Sequence, residues 1–549
     1  MHIAGMAGNR GRNLLNIADR APGGAELAVL VVTSEDAPVL DAAAERGIPT
    51  EVVVPRDDED RRDHERRVLD ALDGYDFELV CLDGYMRVLS ETFLDATPTT
   101  LNVHPSLLPS FPGMDAWGDA LEAGARVTGC TVHVVTNAVD EAGDVVESDV
   151  DAGPIVTQEP VPVYEGDDTD ALKERVLYEG EFRAYPRAVR WFAEDCVTVE
   201  GDEVTVEGDE TGTFPARQLA SADRVETLRY GENPHQDAAL YARPTDEASV
   251  VHAAQLNEGA KGMGYNNYND ADAALDVVEE FDAPAAAVIK HTNPAGCATA
   301  DTLADAYADA LSTDPMSAFG GIVALNRECD EATAEQVVDS FKEVVVAPGY
   351  TGDALAVLRE TENLRVLDVG HATCRTEESG GSSLDTAEPE RERYTVNPVT
   401  GGRLVQERDD QRLTREDLEF VTERDPTDEQ VETMLFAWQV AKHVKSNAIV
   451  FADGTETVGI GMGQVSRVDA VRLAAMKADE HAEGKSADGA VMASDAFFPF
   501  PDGVEAAADA GIEAVVQPGG SVNDDDVIET CDELGVAMAF TGSRCFRHE

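Results

Sequence analysis

Along the first two hundred residues the apolar positions fall into short runs, separated by segments with helical spacing. The runs at Ala28–Val32, Glu51–Val54, Leu79–Leu82, Thr100–Val103, Thr131–Val135 and Ile155–Pro160 predict strands. Between them lie helix candidates such as Asp63–Leu72, with apolar Val68, Leu69 and Leu72. This alternation predicts an α/β fold with an open, mostly parallel sheet. A second series at Ala285–Ile289, Gly321–Leu325, Val344–Ala347, Ala448–Phe451, Ala490–Ser494 and Ala514–Gln517 predicts another α/β region. The segment Val197–Gly212 is acidic and Gly-rich, and 376–393 is polar enough to be an exposed connection. The expected organisation is a domain at 1–205, an acidic linker at 206–224 and a domain at 225–549. The last would divide into subdomains at about 225–375 and 395–549. No short-period repeat of the solenoid kind is visible.

Charge narrows the partners. The 549 residues carry 42 Lys+Arg against 108 Asp+Glu, a net charge of −66. Such a surface repels nucleic acid and anionic lipid. It suits a cytoplasm with molar salt, where the screening length shrinks to about 3 Å. The eight Cys are scattered, with no CxxC pair and no zinc-type spacing, so reduced thiols and no metal are expected. The N-terminus lacks the apolar core of a signal peptide. The run Leu27–Val32 is far short of the roughly 20 residues a membrane span needs. A soluble, cytoplasmic protein acting on small molecules is the expectation.

Two constellations carry chemistry. In the first, a strand at His2–Ala4 runs into Gly5, Gly8 and Gly11, and Asn13 then opens an apolar helix. Backbone N–H groups at such a turn make an anion site, and Arg12 adds charge. The spacing departs from GxGxxG, so a dinucleotide is not expected. In LNVHPSLLPSFPG (101–113), Asn102 and His104 stand two apart at a strand end and can point to one side. With a downstream acid in DAGPIV, Asp151, they form an acyl-transfer set. Asn102 can donate to a developing oxyanion. His104 can move or balance a proton, and Asp151 can hold the imidazole or take the amine proton.

Gly8–Asn13, the GYMRVL segment (84–89), NVHPSLLPSFPG, GCTVHVV (129–135) and DAGPIV together resemble phosphoribosylglycinamide formyltransferases over about residues 1–200. The resemblance implies that Gly11, Arg12 and Asn13 hold a substrate phosphate. It implies that Arg61, Met86, Arg87, Val88 and Leu89 hold the folate donor. Asn102, His104 and Asp151 would be catalytic, with His133 behind them. The chain departs from the family in three places. Gly11-Arg12-Asn13 replaces the usual Gly-Ser-Asn. The link Asn137–Val150 is long, and its Asp140, Asp144 and Asp149 compete with Asp151 for the acid role. Arg62 stands beside Arg61 as its competitor.

In the second constellation, LRYGENPHQ (228–236) offers Arg, Tyr, Asn and His around a turn. The strand AAAVIK ends in Lys290-His291-Thr292-Asn293-Pro294, a cation and an imidazole placed for proton traffic. A lysine buried there would have a lowered pKa. DPMSAFGG, EVVVAP, KSNAIV, GMGQVSR, SDAFFPF, QPGGSVND and FTGSRCF follow in order. This series resembles the domain that formylates aminoimidazole carboxamide ribonucleotide (AICAR), over about 225–549. The resemblance implies Lys290 and His291 as a catalytic pair, with Asn447 orienting the amine or formyl oxygen. It implies nucleotide-binding roles for Arg229, Tyr230, Gly320, Glu343, Phe497 and Arg544. It places Arg467, Val468, Asp502, Ser521 and Val522 on the folate side. It further implies two cytidine-deaminase-like α/β subdomains, without the zinc motif of deaminases, and a homodimer built through this domain.

The combined expectation is a bifunctional purine-biosynthesis enzyme with 10-formyltetrahydrofolate as donor at both sites. The usual cyclohydrolase domain would be replaced by the glycinamide-type transferase. Two other readings remain at this stage. The first half could formylate a sugar amine or an aminoacyl-tRNA, which share the Asn-x-His and distal Asp, or it could be a non-catalytic fusion partner.

Overall fold

A computed structural model describes residues 1–56, 58–140, 142, 144–207, 214–245, 247–257, 261–370 and 393–548. The polar connection expected at 376–393 therefore falls outside the described residues, apart from its last position. The chain separates into two units, Met1–Leu219 and Ala220–Glu549.

The first unit is built on seven strands: β1 (His2–Ala7), β2 (Glu26–Val32), β3 (Thr50–Val52), β4 (Leu79–Asp83), β5 (Thr100–His104), β6 (Val127–Val134) and β7 (Ile155–Pro162). Their order is β3-β2-β1-β4-β5-β6-β7. The first five run parallel, whereas at one edge β6 runs against them and β7, antiparallel to β6, runs with them. Alternate residues feed the two faces: Ile3, Ala7, Leu30 and Val32 enter one core, and Ala4, Met6, Val29 and Val31 the other. A parallel sheet covered on both faces explains why its strands read as continuous apolar runs. Strand β6 starts four residues before the expected Thr131, and β1 continues to Ala7, so the glycine turn begins at Gly8.

Three helical features position the site. Helix α1 (Arg12–Arg20) follows β1. Helix α2 (Arg61–Leu72) is capped by Asp60, whose side chain accepts from Asp63 N. Near the end of the unit, α3 (Thr169–Arg175) passes through a π-helical stretch, Val176–Glu181, into α4 (Phe182–Ala193). Tyr185 of α4 is fully buried. Its hydroxyl lies 2.9 Å from the Leu82 carbonyl oxygen and 3.0 Å from that of Leu101, pinning α4 to the ends of β4 and β5. The acidic segment after α4 folds into a hairpin, Val197–Glu200 with Glu203–Val206.

The second unit contains a twelve-stranded sheet made of two copies of one pattern. The first copy has β8 (Ala285–Lys290), β9 (Asn293–Thr299), β10 (Ile322–Leu325), β11 (Val344–Ala347) and β12 (Arg365–Asp368). The second has β13 (Ile449–Asp453), β14 (Glu456–Gly461), β15 (Val491–Ser494), β16 (Ala514–Gln517) and β17 (Ala537–Phe540). In each, an antiparallel hairpin is followed by three strands, the last two parallel to the third. The order β12-β11-β10-β8-β9-β14-β13-β15-β16-β17 is its own mirror about the β9–β14 seam, and short edge strands flank it at Ala254–Gln255 and Glu419–Phe420.

The helices before the two hairpins, α5 (Tyr265–Val278) and α6 (Asp428–Ala441), repeat as well. Ala271, Ala273, Ala274, Leu275, Val277 and Val278 are buried in one, and Met434, Phe436, Ala437, Trp438, Val440 and Ala441 in the other. A constant step of 163 positions relates each pair and carries Lys290 to Asp453. Among the described residues no helix is long and apolar enough to cross a membrane.

Candidate active site

In the first unit Asn102 and His104 end β5, at the carboxyl edge of the parallel strands, where open α/β sheets bind ligands. The His104 ring is clamped between two acceptors: Nδ1 is 3.1 Å from Asp151 Oδ2, and Nε2 is 3.0 Å from the Phe111 carbonyl oxygen. Both nitrogens must carry a proton to satisfy both partners, so the geometry favours the imidazolium. Burial pushes the His104 pKa down, but the Asp151 carboxylate outweighs it and the pKa ends above its ordinary value. Burial likewise pushes Asp151 up, and His104 with His133 reverses this, holding it well below the usual carboxylate range.

Asp151 sits at a left-handed φ of 57°, and Gly113 N lies 3.4 Å from its Oδ2. Asp140, Asp144 and Asp149 do not reach His104. Asp140 caps its own turn by accepting from Ala142 N and Asp144 N. Asn102 Nδ2 lies 3.2 Å from His133 Nε2, and His133 Nδ1 lies 3.1 Å from the Val134 carbonyl oxygen. His133 thereby orients the Asn102 amide.

These side chains line a cavity of about 480 Å³ together with Gly11–Asn13 and Met86–Leu89. Two glycines shape its rim. A Cβ on Gly8 would sit 2.2 Å from the Gly84 carbonyl oxygen, and Gly11 takes a left-handed φ of 52° just before α1. Arg61 is not part of the lining. Its guanidinium donates to the Val88 carbonyl from behind, and Arg62 pairs with Glu91 at 2.7 Å. Arg61 therefore shapes the 86–89 segment. Met86 is two-thirds exposed at the mouth.

Sequence reading missed two acids in this cavity, Asp83 and Glu181. Glu181 ends the π-helical stretch, an irregularity that aims it at Asn13, whose Nδ2 donates to it at 2.6 Å. Burial raises the Glu181 pKa to about 7, with neighbouring Asp83 adding to the effect and Asn13 opposing it. An acid ending the apolar run LVCLD was a signal available in the sequence for Asp83.

In the second unit Lys290-His291-Thr292-Asn293 forms the tight turn between β8 and β9, with Lys290 paired to Asn293. His291 and Thr292 both adopt left-handed φ, 54° and 61°. Asp270 of α5 braces them: its carboxylate accepts from His291 N at 3.3 Å and Thr292 N at 2.7 Å. Lys290 is half-exposed rather than buried, and its Nζ donates to the Phe319 carbonyl at 2.6 Å.

The seam brings the other half to this turn. Ala298 pairs with Glu456 antiparallel, which carries Asn293 to the level of Gly461, itself opposite Ile449. Lys445 N donates to Asn293 Oδ1 at 2.9 Å, and Asn447, at φ 54°, donates through Nδ2 to the Gln464 carbonyl at 2.6 Å. Lys290, His291 and Asn447 thus share one edge of the sheet.

Residues 1–189 match the formyl transferase family model, and residues 191–477 match that of the AICARFT/IMPCHase bienzymes. The chain belongs to the AICARFT/IMPCHase bienzyme family. It is 45% identical over 396 residues to the bifunctional purine biosynthesis protein PurH of Roseobacter denitrificans, covering 70% of this chain and 69% of that one. It is 45% identical over 389 residues to the PurH of Caulobacter vibrioides, covering 70% and 68%. Glycinamide ribonucleotide transformylase 1 from Symbiobacterium toebii aligns at 38% identity over 38% of this chain and 93% of that one, with a TM-score of 0.34. The chain is a folate-dependent formyltransferase of purine biosynthesis that uses 10-formyltetrahydrofolate.

The remaining positions singled out by the sequence resemblance spread over several elements. Glu343 accepts from Asn267 Nδ2 at 2.8 Å and lies 3.8 Å from Arg365. Gly320 takes φ 71°, and its N–H donates to the Phe341 carbonyl at 2.8 Å. The Arg544 guanidinium stacks 5.0 Å from the Phe497 ring centre, and that of Arg229 lies 5.5 Å from the Tyr230 ring. Arg467 is buried, its guanidinium committed to Asp495 and, at 2.8 Å, to Ser494 Oγ. It opens the helix Arg467–Glu480, which also carries Val468. Asp502 opens the helix Asp502–Asp509. Ser521 N donates to Asp524 at 3.1 Å, and neighbouring Val522 is fully exposed. Among the described residues no cluster of His, Cys, Asp and Glu is placed to hold a metal ion.

Proposed function

We propose that the two units transfer formyl to two different amines, glycinamide ribonucleotide in the first and AICAR in the second. The observation that carries the first assignment is the His104 clamp. An imidazolium fixed by Asp151 and an Asn102 amide fixed by His133 both face one cavity, where charge develops on the formyl oxygen during amine attack. The amine attacks as the neutral base. Asn102 and His104 stabilise the tetrahedral oxyanion, and Asp151 accepts the surplus amine proton on its way to N10 of the leaving folate. Gly11, Arg12 and Asn13 would hold the phosphate and Met86–Leu89 the pterin, with Arg61 fixing that segment from outside.

In the second unit the amine is conjugated with a ring and a carboxamide and is a weak nucleophile. His291 would remove its proton, and Lys290 would neutralise the oxyanion or protonate N10. Asn447 would orient the reacting group. Arg229, Tyr230, Gly320, Glu343, Phe497 and Arg544 would hold the nucleotide, with Val468, Asp502, Ser521 and Val522 on the folate side. Arg467 would act there through Asp495. The reading includes a homodimer in the cytoplasm and no nucleic acid partner.

The test is separability. His104→Ala should lower glycinamide ribonucleotide formylation about 10²–10⁴-fold and spare AICAR formylation, and His291→Ala should do the reverse. One variant that removed both activities would refute two independent sites. A second measurement follows His104 by NMR. Its raised pKa means that the pair with Asp151 contributes full stability below about pH 6.5, the ordinary histidine value. That contribution is lost as pH rises through the elevated value. Asp151→Asn should move the midpoint down, because burial is then opposed only by the Phe111 carbonyl and Glu181.

A further inference from the structure

The first cavity holds a carboxylate that the transfer mechanism does not use. Asp83 ends β4, and its Oδ2 accepts the Asn13 backbone N–H at 2.8 Å while its Oδ1 accepts Asn13 Nδ2 at 3.2 Å. These donors belong to the first turn of α1, where Gly11 brings no capping side chain. An anion of the chain's own thus occupies the donors that an incoming phosphate would seek. On the far side Asn13 Nδ2 also donates to Glu181, so one amide bridges two acids. Asn13 is 1% exposed and its Oδ1 finds no partner among the described residues. The cradle is built and buried, and its donors are held by the chain's own acids.

We propose that Asp83 is a built-in stand-in for the substrate phosphate: it holds the Asn13 donors in the free enzyme, and a phosphomonoester takes them over as Asp83 gains a proton and lets go. This rests on the reading of Gly11–Asn13 as the phosphate cradle and adds a residue that sets its selectivity. The charged and titratable groups facing Asp83 and Glu181 are Arg12 of α1, His104 of β5, Tyr185 of α4 and Cys130 of β6. Of these Arg12 and His104 are cationic, and Arg10, Arg87 and Lys173 line the same cavity. A phosphate dianion set beside two ionised carboxylates concentrates like charge in a low-dielectric pocket, and taking up a proton relieves it. Burial already moves Asp83 in that direction.

Calorimetric titration of the full chain with ribose 5-phosphate at pH 7.5, in buffers of different ionisation enthalpy, tests this. Above pH 6 or so the ester is largely dianionic, so uptake of close to one proton is expected, with affinity falling about tenfold per pH unit above neutrality. Asp83→Asn should bind about tenfold tighter, with the proton uptake gone and the pH profile flat. Binding without proton uptake by the unmutated chain would overturn the proposal, and needs no variant to fold. So would uptake that persists in Asp83→Asn but vanishes in Glu181→Gln. These results leave the cradle intact. Absence of saturable binding by both the unmutated chain and Asp83→Asn would instead remove the cradle itself, and the proposal with it.

Discussion

The two halves of the twelve-stranded sheet place equivalent hairpin turns at opposite ends of one seam, and only the first presents candidate catalytic side chains. In the first half the turn is Lys290-His291-Thr292-Asn293, and in the second it is Asp453-Gly454-Thr455-Glu456. The second turn solves its backbone problem cheaply. Gly454 supplies a left-handed φ of 55°, and a Cβ there would meet nothing within 4 Å. The first turn puts His291 and Thr292 into the left-handed region, at a cost on the order of 1–2 kcal/mol for each. What keeps it there is Asp270, whose carboxylate takes both turn amides. The step of 163 positions brings Asp270 onto Thr433, whose hydroxyl merely donates to the Glu429 carbonyl of its own helix. Strain, brace and the Lys290-His291 pair occur together at the first turn, and the second turn has none of the three. Observed strain with a dedicated support is a recognised mark of a functional site.

The sharpest way to break this comparison is to remove the brace. Asp270→Ala leaves two turn amides without their acceptor and the left-handed residues without compensation. A loss on the order of 1–3 kcal/mol in local stability is expected. AICAR formylation should fall by tenfold or more, while glycinamide ribonucleotide formylation stays unchanged and serves as the internal control. Hydrogen exchange at the Thr292 amide should rise by a comparable factor. Thr433→Ala is the matched control at the equivalent position of the second half and should change neither activity. If Asp270→Ala and Thr433→Ala behaved alike, the brace would have no special role.

The same contrast explains what the sequence could and could not reveal. The strands of both units were readable because sheets covered on both faces demand apolar runs such as AVLVV and VVVA, which stand out from acidic loops. Asn102 and His104 were readable because strand alternation sets both on one side of a strand end, whereas Asp151, far along the chain, was readable only through the DAGPIV motif. The duplication was not readable. Its two copies share burial and pairing, but AAAVIK and its mate IVFAD have little in common as letters. Nor was Asp270, which lies twenty residues before the turn it supports and looks like any acid on a helix. Glu181 was hidden for a different reason: a π-helical stretch shifts the helical phase, so ordinary spacing does not point it at Asn13. Long-range partners and local irregularities carry no periodic signal. Both matter most where ligands meet the protein.

A smaller effect separates backbone strain from side-chain chemistry by exchanging the glycine. Gly454→Ala places a Cβ at a left-handed position in open space, so its cost is purely conformational, about 1 kcal/mol. Neither activity should change, because the turn of the second half touches no proposed site residue. Thr292→Gly is the converse. It relieves left-handed strain but adds unfolded-state entropy, so the two terms largely cancel and stability should rise by no more than about 1 kcal/mol. Lys290 and His291 remain in place, so AICAR formylation should survive. Chemical denaturation of the second unit, followed alongside the AICAR assay, reads both variants. Stability changes of opposite sign with activity retained would show that the strained turn is tolerated for the residues it presents, not required as strain. Loss of activity in Thr292→Gly with Lys290 and His291 intact would mean instead that the rigidity of the turn is itself part of catalysis.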